Sequence, residues 1–348
     1  MSTSSATYPT ESAPPREVNL GFLRPNSPLP LVLRPATRGV NLIEWAKRNT
    51  HFIDSTLLRY GAILFRGFNL AGVGDFEQLI EAVSGPLLTY SYRSTPRSVV
   101  SGRIYSSTEY PAHQSIPLHN ENSYSRNWPM KIWFFSMQVA QQGGATPIAD
   151  SRKIFKAIPH EICDSFVRKG LMYVRNYGIG LDLPWQEVFQ TSSKAVVEDF
   201  CRRSDMEFEW LGGDQLRTRQ ICQVVERHPR TGEMVWFNQA HLFHVSRLPL
   251  EVREWLMLSL GEQNLPRNVY FADGSSINAE MIDQISRVCD EHSIVFPWHE
   301  GDALLLDNML TAHGRKPFVG ERKVVVGMAD PNQPAFASAA RHKILSNI

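Results

Sequence analysis

Apolar runs of strand length are spread along the whole chain, whereas the helix-like stretches between them come in groups. That distribution restricts the fold more than any other feature. GAILFRGF (61–68) and KIWFFSMQVA (131–140) read as buried strands early on, and EMVWFNQ, SIVFPW, DALLLDN and RKVVVGMAD supply strands later. Helices are expected over 40–60, over 75–85 with Gly85 as the stop, over 158–169, and over 191–205 with Thr191 or Ser192 as the cap. Two more are expected in PLEVREWLMLSLGE and, entered through DGSS, in INAEMIDQISRVCDEH. A doubly wound parallel sheet needs strict alternation of strand and helix. Grouped helices point to a mainly β core with helical insertions, at about 151–230 and 247–292. A double-sheet jelly roll is one such core.

The chain has 348 residues and shows neither repeat nor linker, so residues 26–348 are expected to form a single domain. Its opening, MSTSSATYPTESAPPREV, is rich in Ser, Thr and Pro and lacks the apolar centre of a secretory signal, so residues 1–25 are expected to be disordered. Lys and Arg number 36 against 35 Asp and Glu, which leaves no electrostatic footprint for nucleic acid or an anionic membrane. No run is long enough to cross a bilayer. Cys163, Cys201, Cys222 and Cys289 are scattered without a CxxC pair, so free thiols and a reducing, cytoplasmic setting are expected. There is no GxSxG elbow, no GxxxxGK[ST] loop and no GxGxxG after a strand.

IPLHNENSYS (116–125) holds His119 and Glu121 two positions apart. On a strand, such residues share a face, so the pair can chelate one ion; alternatively they are two polar residues on a surface strand. A second stretch, GDALLLDNMLTAHGRKPFVGERKVVVGM (301–328), places His313 after a buried strand and Arg322 nine residues later at the start of another. Two imidazoles and a carboxylate on one face of an octahedron leave three coordination positions open, the arrangement of non-haem Fe(II) oxygenases. A fixed guanidinium nearby suits the far end of a dicarboxylate, although a lone Arg at a strand edge more often forms a surface ion pair. His241 and His244 have no acid beside them to complete a second metal site, and His228 reads as a turn residue.

The two stretches together resemble the TauD/TfdA-type (taurine dioxygenase-like) 2-oxoglutarate-dependent oxygenases, with their clavaminate synthase-like and SyrP-like relatives. GAILFRGF, HNE, GGATPIADS and DNxxxxHGRxPFxGxR carry the resemblance in the family's order, over roughly residues 30–332. It implies a double-stranded β-helix (a jelly roll, cupin-like) with His119, Glu121 and His313 as metal ligands and catalytic centre, and Thr146 and Arg322 holding 2-oxoglutarate. The implied cofactors are Fe(II), 2-oxoglutarate and O2, with ascorbate as an aid in vitro. The implied reaction is oxidation, most simply hydroxylation, of an unactivated C–H in an amino-acid-derived small molecule of secondary metabolism, free or presented on a peptidyl carrier domain. Desaturation and cyclisation are open to the same centre. A non-catalytic jelly-roll binding protein and a metal-dependent hydrolase or isomerase on a cupin-like barrel are the readings from other classes. A homo-oligomer is allowed for.

Relative to the family, two positions narrow the chemistry. Glu121 fills the place that related halogenases leave as Ala or Gly for chloride, so oxygen chemistry is favoured. Val326 stands where the taurine enzyme has its sulfonate-binding Arg, which argues against a sulfonate. Segments expected to face the substrate contribute Tyr105, Ser107 and Thr108, then Asn120 and Asn122, then Phe237 and Asn238, and Arg315 of the HGR turn. Several have a plainer alternative: Tyr105 and Phe237 as core, Asn120 and Asn122 as partners of backbone groups at the strand end, Arg315 as structural support.

Overall fold

The computed structural model describes residues 16–25, 27–90 and 92–332. A hairpin of β1 (Val18–Arg24) and β2 (Ser27–Pro35) leads into helices α1 (Leu42–Arg48) and α2 (Thr50–Tyr60), strand β3 (Ala62–Phe65) and helix α3 (Val73–Ser84). Strands β4 (Val99–Ser101), β5 (Ile104–Ser106), β6 (Ile116–His119), β7 (Pro129–Gln138), β8 (Gln142–Gly143) and β9 (Ile148–Asp150) follow. The middle of the chain carries α4 (Ser151–Ala157), α5 (His160–Lys169), β10 (Leu171–Tyr177), α6 (Trp185–Phe189), α7 (Lys194–Arg203), β11 (Glu207–Leu211), β12 (Gln215–Cys222), β13 (Val225–Arg227) and β14 (Met234–Trp236). Next come α8 (Ala240–Phe243), α9 (Leu250–Leu260), β15 (Arg267–Phe271) and α10 (Ala279–Glu291), and then β16 (Ala303–Asp307), β17 (Thr311–Arg315), β18 (Phe318–Val319) and β19 (Lys323–Pro331). No helix among the described residues is long and apolar enough to cross a membrane.

The main sheet has eight strands in the order β1-β2-β3-β16-β7-β19-β5-β4, antiparallel except for β2 beside β3. Its central strands are apolar at consecutive positions because both faces are covered. Ala303 and Leu305 of β16, Trp133 and Phe135 of β7, and Ile63 and Phe65 of β3 face a core shared with Trp45, Leu57, Phe76 and Leu79 of the N-terminal helices. Their neighbours Leu304, Leu306, Ile132, Phe134, Ala62 and Leu64 enter an inner core with Ile148, Phe296 and Trp298. Ile148 belongs to a three-stranded sheet, β6-β17-β9, so the inner core joins the two sheets.

Several sequence expectations need correction. The helix expected over 40–60 is two helices, because Asn49 Nδ2 donates to the Trp45 carbonyl at 2.7 Å and its backbone breaks from helical geometry. The helix expected over 191–205 starts at Lys194 with Ser193 at its cap. SIVFPW forms no strand and makes only a bridge from Ile294 to Ile148, and EMVWFNQ is strand only over Met234–Trp236. Within the segment expected to be disordered, Val18–Arg24 pairs along β2 as an edge strand; residues 1–15 lie outside the described residues. The insertions expected to be helical hold a four-stranded antiparallel sheet, β11-β12-β10-β15. The buried face of β12 includes Thr218 and Gln220 beside Leu216 and Cys222, and those polar residues blur the apolar alternation.

One ion pair fixes the end of β3 against the start of β16. Arg66 donates from Nε and Nη2 to the Asp302 carboxylate at 3.0 and 2.7 Å, and from Nη2 to Pro297 O at 2.8 Å. Both side chains are buried, so removing one leaves the other's charge uncompensated. Asp302→Ala is expected to lower unfolding free energy by about 3 kcal/mol or more in a urea titration. A loss below about 0.5 kcal/mol, typical of an exposed position, contradicts this placement of the pair.

Candidate metal centre

β6 and β17 pair so that His119 stands directly opposite His313, with ring centroids 4.5 Å apart. The register shifts after His313, and the backbone of Gly314 comes so close to β6 that a Cβ there would lie 2.6 Å from Ile116 O. His119 Nδ1 donates to Pro117 O at 2.9 Å, which leaves the Nε2 lone pair free. Burial pushes His119 down from the ordinary imidazole range, partly countered by Glu121. His313 is pushed well down by burial, with His119 and Arg97 adding to it. Both rings are therefore neutral at physiological pH, the state a metal requires.

Glu121 does not lie on the strand. β6 ends at His119, and Glu121 occupies the following turn, so the shared-face argument from spacing does not hold for this pair. Asn308, in the turn after β16, holds the carboxylate in place instead. Its Oδ1 accepts the Glu121 N–H at 2.7 Å, and its Nδ2 donates to Glu121 O at 2.9 Å and Pro129 O at 2.8 Å. The Glu121 carboxylate receives Arg97 Nη2 at 2.7 Å and the Tyr90 hydroxyl at 3.2 Å. His313 Nε2 lies 3.8 Å from Glu121 Oε2, and one donor atom from each of the three residues falls within 4.8 Å of the others. This is the one such cluster among the described residues. Two neutral imidazoles and a carboxylate converging from adjacent elements fit a divalent metal bound on one face.

His119, His313, Phe134, Arg97, Ser107, Thr108, Thr146, Arg315 and Arg322 border one cleft. Arg322 donates from Nε to Gly144 O at 2.8 Å, from Nη1 to Ser107 Oγ at 3.2 Å and from Nη2 to Thr146 Oγ1 at 3.4 Å. Thr146 also accepts from Trp298 Nε1 at 3.0 Å. Gly144 has φ +71°, and a Cβ on it would meet the Arg322 side chain at 2.9 Å. No carboxylate pairs with Arg322 among the described residues. Burial, with Arg315 nearby, pushes its guanidinium down to about 10, so it stays charged at neutral pH. A charged, half-buried fork with neutral partners is a ready receptor for an anion.

The structure divides the expected substrate residues. Ser107, Thr108 and Arg315 border the cleft, but the Arg315 guanidinium donates to the carbonyls of Thr108, Tyr110, Pro111 and Gln114 and so braces the 108–114 loop. Tyr105 lies in the inner core, where its hydroxyl accepts from Tyr90 N. Asn120 donates to Ser151 Oγ and Asn308 O, and Asn122 accepts from the Tyr124 hydroxyl at a backbone φ of +56°. Phe237 packs on Trp128, and Asn238 is held between Val224 O and Ala240 N. None of these five borders the cleft. His241 donates to Leu118 O and is held neutral by burial, at about 4, and His244 bonds Ser246. Sequence reasoning missed Arg97 and Asn308. No local pattern marks Arg97, but Asn308 stands in the DN pair of a stretch already singled out. Asn308→Ala, which frees the turn without touching a ligand, is expected to weaken Mn(II) binding by about tenfold to a hundredfold in an equilibrium titration. Unchanged affinity contradicts the bracing role.

Similarity to known proteins agrees with this geometry. The model of the "Taurine catabolism dioxygenase TauD, TfdA family" matches residues 26–328. The dapdiamide synthesis protein DdaC of Enterobacter agglomerans is 44% identical over 285 residues, covering 82% of this chain and 87% of that one. A clavaminate synthase-like protein of Arabidopsis thaliana is 29% identical over 323 residues, 87% of this chain and 94% of that one. Among solved structures, PvcB of Pseudomonas aeruginosa superposes with a TM-score of 0.55 at 13% identity, covering 92% of this chain and 94% of its own. AAD-2 bound to Mn(II) and N-oxalylglycine superposes at 0.51 with 11% identity, covering 91% and 98%. These two likenesses concern the fold. The family's oxygenases use Fe(II), 2-oxoglutarate and O2, and the His–Glu–His cluster is a donor set for that metal. By the match along residues 26–328, the chain belongs to the TauD, TfdA family of dioxygenases.

Proposed function

We propose that this protein hydroxylates an unactivated C–H of an amino-acid-derived small molecule, free or carried on a peptidyl carrier domain, as a cytoplasmic step of secondary metabolism. The observation that carries the reading is the unpaired Arg322 guanidinium in the cleft that His119 and His313 border. An arginine so placed beside a metal site suits an oxygenase that binds a dicarboxylate. The metabolic setting is supported by DdaC, whose name places it in dapdiamide synthesis. We read the main sheet and the three-stranded sheet, joined through Ile148, as the two walls of a double-stranded β-helix.

Ferrous iron, with 2-oxoglutarate and O2, would supply the oxidising power for breaking the C–H bond. His119, Glu121 and His313 would hold the metal. Arg322, with Thr146 beside it, binds the far carboxylate of 2-oxoglutarate, and Trp298 fixes the Thr146 hydroxyl. Phe134 packs its ring 5.1 Å from that of His313 and helps exclude water from the ligand. Ser107 and Thr108 offer hydroxyls at the cleft. The placement of the substrate in the cleft would select among hydroxylation, desaturation and cyclisation.

Anaerobic addition of Fe(II) and 2-oxoglutarate is expected to give a weak visible charge-transfer band, and succinate is expected to form only when O2 is admitted. Arg322→Gln removes a charged partner of a carboxylate, a loss of about 2 kcal/mol or more, so the Kd for 2-oxoglutarate should rise about thirtyfold. His313→Ala should abolish both the band and succinate formation. Full succinate formation by His313→Ala, or unchanged 2-oxoglutarate binding by Arg322→Gln, overturns the assignment.

A further inference from the structure

Arg97 reaches the same cleft from the segment before β4 and is 7% exposed. Its Nη2 donates to Glu121 Oε2 at 2.7 Å, and its guanidinium lies over the Tyr90 ring at 4.7 Å from the centroid. Nε and Nη1 are buried and have no hydrogen-bond partner. Buried donors rarely stay unmatched, and those of a guanidinium are among the costliest to leave so. A side chain placed only to steady Glu121 would need none of these extra donors.

The charge around the cleft agrees. Arg97, Arg315 and Arg322 border it, and Glu121 is the carboxylate that faces Arg97 and the two imidazoles. A divalent metal adds positive charge, and a dianionic co-substrate does not cancel the total. On the function proposed above, the two carboxylates of 2-oxoglutarate already have receptors, the metal at one end and Arg322 at the other. A further anion would meet favourable charge in the cleft, and Arg97 carries buried donors there without a partner.

We propose that Arg97 is the receptor for a carboxylate of the substrate, so the substrate is an acid that carries this group close to the oxidised carbon. Nη1 and the second hydrogen of Nη2 can grip a carboxylate at two points, while the first Nη2 hydrogen stays on Glu121. Arg97 is thus a specificity-determining residue as well as a brace for a metal ligand. The inference rests on the oxygenase reading, and it names the substrate's chemical class.

The test uses the full chain loaded with Mn(II) and N-oxalylglycine. The probes are N-acetyl derivatives of the proteinogenic amino acids, each beside its primary amide, read by thermal shift and then by calorimetric titration. Acids are expected to raise the melting temperature where their amides do not. At saturating Mn(II), Arg97→Lys and Arg97→Gln should each weaken acid binding by about tenfold or more, while N-oxalylglycine binding to Arg97→Lys, which keeps a cation for Glu121, changes by less than about threefold. The proposal is overturned if no acid binds, if amides bind as well as acids, or if the variants bind acids like the unmodified protein. It is also overturned if they weaken N-oxalylglycine instead, which would make the co-substrate the source of the carboxylate, or if they lose only Mn(II). Failure of the unmodified protein to bind N-oxalylglycine would sink the oxygenase reading itself, a result separate from any comparison among Arg97 variants.

Discussion

The pairing of β6 with β17 is the contact on which the site depends. It sets His119 opposite His313 although 193 intervening residues separate them in the chain. Those residues include the four-stranded sheet and most of the helices, yet the register of two short strands decides whether the imidazoles meet. A slip by one residue would turn the His313 side chain to the other face. Ile148 on the far side of β17 and the close approach at Gly314 both resist such a slip, since each fixes β17 against a neighbour.

Glu121 is positioned by other means. A ligand in a turn is not aimed by pleat geometry, so its backbone must be tied down from outside. Asn308 does this through both ends of its amide, and Gln239 and Ser123 add hydrogen bonds to the carbonyl of Asn120 just before it. Asn308 directly follows β16, in the centre of the main sheet, so the rigidity of the large sheet is passed to the turn after β6 that carries Glu121. Arg322 immediately precedes β19, which lies next to β7 in that same sheet. Both the Glu121 carboxylate and the Arg322 guanidinium are therefore referred to one rigid frame.

The parts legible in the sequence were those whose signal is local. His119, His313 and Arg322 stand in short motifs next to strongly apolar strands, and β7, β16 and β19 are apolar on both faces. Less was legible where the physics is distributed. β10 and β12 pair over seven residues, but Arg175, Thr218 and Gln220 are buried there, and the tertiary contacts they make, such as Arg175 donating to Arg93 O and Gln220 to Ser204 O, show in no local pattern. Arg97 lies 24 residues from the carboxylate it meets, and nothing near it in the sequence marks it as buried. Asn120 donates to the Asn308 carbonyl, as its plainer alternative had it, whereas Asn122 accepts from the Tyr124 hydroxyl and Asn238 donates to Val224 O.

A crystal structure of the protein soaked with Mn(II) and N-oxalylglycine, with anomalous scattering to locate the metal, addresses the central claim most directly. The account predicts one manganese bound by His119, Glu121 and His313, with the far carboxylate of N-oxalylglycine on Arg322. A metal elsewhere, or a ligand whose far carboxylate turns away from Arg322 toward solvent, would contradict it.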